Sequence, residues 1–254
     1  MKKNIMLFAL LAGAALALYA QNAESIVRAS RDRIKADTTF TRSRMVIMAK
    51  NGTTSGRVIE QYSKDGPNGS RTTIVFEEPA TVAGTRFLTM EKPGGADDRW
   101  IYMSGKIRRI AAKGGSDKFV GTDFSFDDIS SMSRNADLDT HTLLREENLA
   151  GDACYVIQSV PKDSSYQYSK MTQWITKNTQ IVMKIELYDK KNTLVKTVEM
   201  SGLKDVQGRL TVHITKMTTH AAGTSTTINI ERIEYDKPIP EGVFSTRYLE
   251  TGRP

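Results

Sequence analysis

From Met171 to Asp236 the chain repeats one pattern: a short run of alternating polar and apolar residues, then a turn. The runs "MTQWITK", "IVMKIELYDK", "LVKTVEMSG", "RLTVHITKM" and "STTINIERIEYD" are separated by "NTQ", "KKN", "KDVQG" and "HAAGT". Period-two runs about ten residues apart, divided by turn residues, predict an antiparallel meander, either a sandwich or a barrel. A parallel α/β sheet is excluded, because strands and helices would have to alternate along the chain.

The first half agrees. "RSRMVIMAK", "RVIEQYSK", "RTTIVFEE" and "TRFLTMEK" alternate in the same way around "NGTTSG", "KDGPNGS" and "PATVAG". "RWIYMS", "KIRRIAA", "HTLLREENL" and "CYVIQSVP" add further strands. One segment departs from period two. "NAESIVRASRDRIKAD" spaces Ile26, Ser30 and Ile34 four apart with Val27 beside them, and turns Arg28, Arg31, Arg33 and Lys35 the other way. This predicts an amphipathic helix from Asn22 to Asp37, capped by Asn22, with a narrow apolar stripe. The fold class is mainly β with one principal helix.

Faces follow from the pleat. Ile181, Met183, Ile185 and Leu187 fall on one side of their strand, and Lys184 and Glu186 on the other. Leu210, Val212 and Ile214 form a row in a later strand, Ile228 and Ile230 in the next, and Ile74 and Phe76 in an early one. His213, opposite Val212 and Ile214, reads as solvent-facing. A helix of about four turns covers roughly 20 Å by 10 Å, whereas about ten strands at 4.8 Å spacing reach roughly 48 Å. One helix cannot roof such a sheet. Either it closes on its own side chains or it curls partway and leaves an apolar hollow. Met45, Met90, Met183 and Met200 suit an adaptable lining or an ordinary core equally.

Lys2 and Lys3 followed by "IMLFALLAGAALALYA" predict a secretory signal peptide, residues 1–20, cleaved after Ala20. Export across the membrane, with the signal peptide removed, is the expected fate. The net charge of +7 comes from 36 basic residues interleaved with 29 acidic ones, so no nucleic-acid stripe is expected. Anionic lipid head groups or an acidic partner are better matches for it. Cys154, the only cysteine, lies between apolar neighbours and reads as a small buried hydrophobe. With no Gly-rich phosphate loop, no G-x-S-x-G and no His-x-x-x-His pair, neither an enzyme nor a cofactor is predicted.

The stretch "KFVGTDFSFDDIS", residues 118–130, gathers three phenylalanines and three aspartates. Asp123, Asp127 and Asp128 lack the spacing of a calcium loop, and no metal is predicted. A catalytic carboxylate pair is equally unsupported. A loop whose Phe119, Phe124 and Phe126 pin it to the sheet, entering a short helix capped by Ser125 or Asp127, is the expectation.

The order of tryptophan strand, "KIRRI", Ser-Asp-x-Phe-x-Gly and "TDFSFDDI" resembles the LolA-like outer-membrane lipoprotein-sorting proteins. "IKADTTF", "GTRFLTM", "MTQWITKNTQIVMKIELYD" and "GVFSTRYLE" extend the resemblance to the family's longer members, over nearly all of residues 21–254. It implies a single lipid-carrier domain there: a half-open, strongly curved antiparallel β-barrel with an N-terminal helix and short lid helices. The implied cargo is the acyl chains of a lipoprotein or other lipid, shuttled through the periplasm toward the outer membrane. Implied partners are an inner-membrane transporter as donor and an outer-membrane acceptor, with a monomer as the state that suits a shuttle. Lipid sensing, or service as accessory subunit to an inner-membrane exporter, is the alternative. The implied lining is Met45, Ile47, Ile74, Phe76, Ile181, Met183, Ile185, Leu187, Val212, Ile214, Ile228 and Ile230. Ile26, Ile34, Phe119, Phe124 and Phe126 would form the lid or rim, with the aspartates keeping that rim wet. The helix and the segment from Gly114 to Met132 would part on loading, and Trp100 would report it. Compact members hold the lid with an arginine, for which Arg42, Arg44, Arg71 and Arg86 are candidates.

Overall fold

The computed structural model describes residues 23–67, 69–92, 97–111, 114–130 and 136–254. The expected signal peptide lies outside them, as do Asn22 and Met132.

Among the described residues, thirteen strands form one sheet in the order β6-β5-β4-β3-β2-β1-β13-β12-β11-β10-β9-β8-β7. The order is linear, so the sheet is open, with β6 and β7 at its edges. In sequence the strands are β1 Thr38–Met48, β2 Thr54–Lys64, β3 Arg71–Glu78, β4 Arg86–Met90, β5 Asp98–Met103 and β6 Lys106–Arg109. β7 Asp139–Leu149, β8 Asp152–Pro161, β9 Lys170–Thr176, β10 Val182–Tyr188, β11 Leu194–Val206, β12 Arg209–Thr219 and β13 Thr224–Tyr235 follow. Helix α1 spans 23–32. α2 is Phe126–Ser130, α3 is Thr246–Thr251, and 3-10 turns occupy Ala136–Leu138 and Glu241–Phe244.

Two compact units divide the chain. One takes Met1–Arg33 and Arg134–Thr197, the other Ile34–Ser133 and Val198–Pro254. In the first, Ala23, Ile26 and Val27 of α1 pack on Ile157 and Ile175, with Leu143, Tyr155 and Val182 around them. The pairs Leu143↔Ile157 and Tyr155↔Ile175 put these strand residues on one face. The helix is shorter than expected: it ends before Arg33, so Ile34 continues the four-residue spacing but not the helix.

The same face buries a polar cluster the sequence reading did not find. His141 Nε2 donates to Ala136 O (3.1 Å), leaving Nδ1 to accept from Ser159 Oγ (2.7 Å), which also accepts from Gln173 Nε2 (2.8 Å). All three side chains are buried, and each finds a partner as burial requires. The pairing His141↔Ser159 was legible as matching strand parity, but only once the register was known.

In the second unit the sheet is covered on both sides. Met45 faces Ile228 across β1–β13 and Arg57 across β1–β2. The ladder continues the same side through Ile59↔Phe76, Ile74↔Phe87 and Phe87↔Ile101. The other side, carrying Val75, Leu88, Trp100 and Tyr102, is covered by Val243, Phe244, Tyr248 and Leu249 of the C-terminal segment. Ser245 starts α3 by accepting from Tyr248 N, and Gly252, left-handed at φ 67°, ends it. Glu241 is gripped by Lys64 and by Arg71 (2.8 Å), and those two cations hold its carboxyl below the usual range.

Candidate functional site

Six of the expected lining residues share one side of the second unit. Met45, Ile47, Ile74, Phe76, Ile228 and Ile230 lie on a common face by cross-strand pairing and alternation. Met45, Ile74 and Phe76 are buried, while Ile47, Ile228 and Ile230 remain half-buried. Val212 and Ile214 do not join them. Ile214 pairs with Asn229, so its row lies on the opposite side from Ile228. Thr211, His213, Thr215 and Met217 take the expected face instead. His213 is correspondingly buried, its Nδ1 donating to Thr211 O (3.1 Å), where solvent exposure was expected.

The remaining expected residues belong to the first unit. Ile185 pairs with Gln173 and Leu187 with Met171, on the side of Ile175 that carries α1. A register shift between Val182 and Lys184 breaks the alternation there. Val182 therefore joins Met183, Ile185 and Leu187 on that side. Ile181 precedes the strand and is held by Thr176 Oγ1 (3.0 Å) in the turn from β9.

Residues 118–125 form a small hairpin on the phenylalanine face. Phe119 N donates to Phe124 O (2.8 Å), and Thr122 N to Phe119 O (3.0 Å). Val120 and Gly121 make the tight turn with positive φ values of 47° and 75°. That geometry costs nothing at Gly121 but is strained for the β-branched Val120. Phe119 stacks on Phe76 (5.6 Å) and Phe87 (5.3 Å), and Phe126 on Phe87 (5.4 Å) and Phe119 (5.5 Å). With Phe124, these rings are buried.

The acids do not wet a rim. Asp123 is buried and accepts from the hydroxyls of Thr224 and Thr226 (2.7 Å for Thr226), while its own N–H donates to Thr226 Oγ1 (2.9 Å). Asp127 pairs with Arg99 at 2.5 Å. Asp128 and Ser125 cap α2 reciprocally, Ser125 N to Asp128 Oδ2 (2.8 Å) and Asp128 N to Ser125 Oγ (3.0 Å). Asp123 and Asp127 fasten this segment to the sheet.

The four candidate arginines are engaged elsewhere. Arg42 pairs with Glu60, Arg44 with Glu231 and Arg71 with Glu241, and Arg86 donates to Leu249 O (3.0 Å). Arg99 is the arginine that reaches the 114–130 segment through an ion pair, among the described residues. Trp100 pairs with Leu88 and packs near Phe244 and Leu249, so it sits on the C-terminal side and cannot report on the phenylalanine face.

A crystal structure of a candidate outer membrane lipoprotein-sorting protein domain from Vibrio parahaemolyticus is 25% identical to this chain, with a TM-score of 0.86 over 91% of this chain and 99% of that one. A DUF1329 family protein from Desulfovibrio piger is 27% identical at the same TM-score of 0.86, covering 91% of this chain and 99% of its own. A LolA superfamily protein from Nitrosomonas europaea, 20% identical, shares the fold with a TM-score of 0.72 over 89% of this chain and 98% of that one. No curated protein matches the chain. A family model described as an uncharacterized protein matches residues 68–251. By that match the chain belongs to the family the model describes, and its structural neighbours are LolA-like outer-membrane lipoprotein-sorting proteins.

Proposed function

We propose that this chain is a periplasmic carrier that takes acyl chains of lipoproteins or other lipids onto the phenylalanine face and moves them toward the outer membrane. One observation carries the reading. An apolar face with half-buried Ile47, Ile228 and Ile230 is covered by a segment that is fastened by side chains rather than by a strand ladder. Phe119 and Phe126 occupy that face, and lifting the hairpin presents it to a guest.

Energetics favour an exchangeable cover over an open hollow. Burying one methylene contributes about 0.8 kcal/mol, so a fully buried 16-carbon chain approaches roughly 12 kcal/mol. Two or three such chains would bind too tightly to discharge. Displacing the Phe119 and Phe126 rings offsets part of that gain, and their return helps to expel the cargo.

The direct test is mass spectrometry of lipid that co-purifies with the protein from its native envelope without detergent; acyl species in near-stoichiometric amount are expected, and their absence sinks the carrier. Ile228→Glu supplies a second test. Ile228 is half-exposed, so the fold tolerates the change, but a carboxylate on the apolar face must be desolvated when an acyl chain arrives. A loss of acyl-probe affinity of about tenfold or more is expected, read by displacement of a fluorescent fatty acid. Wild-type affinity in this variant would place lipid elsewhere.

A further inference from the structure

β2 sets a cation into this face. Arg57 is the cross-strand neighbour of Met45, which is fully buried, and lies two residues from buried Ile59. Its Nε is closed off from solvent and makes no hydrogen bond. No carboxylate pairs with it among the described residues, and burial, with no charged neighbour contributing, holds its pKa below the usual value. Four other arginines of this unit, Arg42, Arg44, Arg71 and Arg99, each face an acid. The acids nearest along the ladder are turned away. A register shift pairs Val58 with Glu78 and Ile59 with Phe76, and Glu77 acts on Tyr62 and Tyr248 on the C-terminal side.

The hairpin turn lies against this guanidinium: a Cβ at Gly121 would stand 3.6 Å from Arg57 Nη2, at ordinary contact distance, so the segment that covers the face also touches the cation. Guanidinium is permanently charged, and its fork matches the paired oxygens of a carboxylate or phosphate. A partly buried cation without a partner is costly until an anion arrives.

We propose that Arg57 is the head-group receptor of this face: it takes a phosphate or carboxylate at the head of an anionic lipid, while the acyl chain lies along Met45, Ile47 and Ile228. The assignment rests on the carrier reading and narrows its cargo to lipids with an acidic head. Free phosphate is a poorer match, because it would shed its water against apolar walls with no acyl burial to offset the loss.

The test compares lysophosphatidic acid with the monoacylglycerol of the same chain, which differs only by the phosphate, in displacing a fluorescent acyl probe from delipidated protein. Wild type is expected to favour the phosphorylated lipid by about tenfold or more. In Arg57→Met that ratio falls to near one. Arg57→Lys, which keeps charge and stem should the methionine variant misfold, retains only part of it. Inorganic phosphate at millimolar concentration displaces neither lipid. A ratio near one in wild type, or one unchanged in both variants, overturns the Arg57 assignment and leaves the carrier standing. Displacement by inorganic phosphate alone overturns the head-group role in favour of a free-anion site. Failure of wild type to bind either lipid removes the carrier, and this assignment with it.

Discussion

Phe119→Ala should tighten acyl binding while it loosens the empty protein. The ring is fully buried against Phe76, Phe87 and Phe126. Truncating a phenylalanine in a rigid core costs about 3–5 kcal/mol, and Phe87→Ala should lose about that much, since β4 is laddered to β3 and β5 on both sides. Phe119 differs in its attachment. Its hairpin bonds to itself and meets β13 through Asp123 and two threonine hydroxyls. Such a segment opens locally, so the loss on truncation is capped by the free energy of closing it. Global stability, read from urea unfolding, should therefore fall less for Phe119→Ala than for Phe87→Ala. Affinity moves the other way. If the competent state is the open one, apparent affinity scales with its population. Weakening closure by about 1.4 kcal/mol multiplies a small open fraction about tenfold, and the apparent Kd falls by the same factor. Equal destabilisation by the two substitutions, with no gain in acyl affinity, would make the hairpin ordinary core and leave the carrier without its gate.

Strands were legible because both their period and their punctuation are local. β3 runs from Arg71 to Glu78, as "RTTIVFEE" predicted, and each of the other expected runs contains a strand. What a strand cannot reveal is which parity faces its neighbours' apolar side. In "RLTVHITKM" one parity carries Leu210, Val212 and Ile214, the other Thr211, His213, Thr215 and Met217, and hydropathy favours the first. The Ile214↔Asn229 register puts the second row beside Ile228, and His213 is buried there through a hydrogen bond to its own strand. A bulge defeats the reading in another way, since the break at Val182 to Lys184 is invisible in "IVMKIELYD". The resemblance implies solvated acids in "TDFSFDDI", which agrees with where charge usually sits. Their partners, Thr224 and Thr226 for Asp123 and Arg99 for Asp127, lie 28 or more residues away in sequence, and nothing short-range announces them. Arg57 was hidden for the same reason: a lone arginine in a strand has a partner or lacks one only in three dimensions.

The C-terminal segment gives the opposite expectation to the hairpin, and Phe244→Ala tests it. Phe244 is buried on Leu88 and Leu249, with the Arg71 guanidinium 5.2 Å above its ring. Its segment is tied down by Thr73 Oγ1 donating to Val243 O (2.9 Å), by Arg86 donating to Leu249 O (3.0 Å), and by Glu241 between Lys64 and Arg71. The outer ion pairs are exposed and contribute little each, so the apolar contact dominates. Removing the ring should cost about 3–5 kcal/mol, and at about 2–4 °C per kcal/mol for a domain of this size the melting temperature should drop by roughly 10 °C. Below the transition, acyl affinity should stay at its wild-type value, because this cover lies on the side of the sheet that Met45 and Ile228 do not share. A tenfold change in acyl affinity in folded Phe244→Ala, in either direction, would mean that cargo engages the C-terminal side, and the assignment of one face to the guest and the other to the fold would have to be reversed.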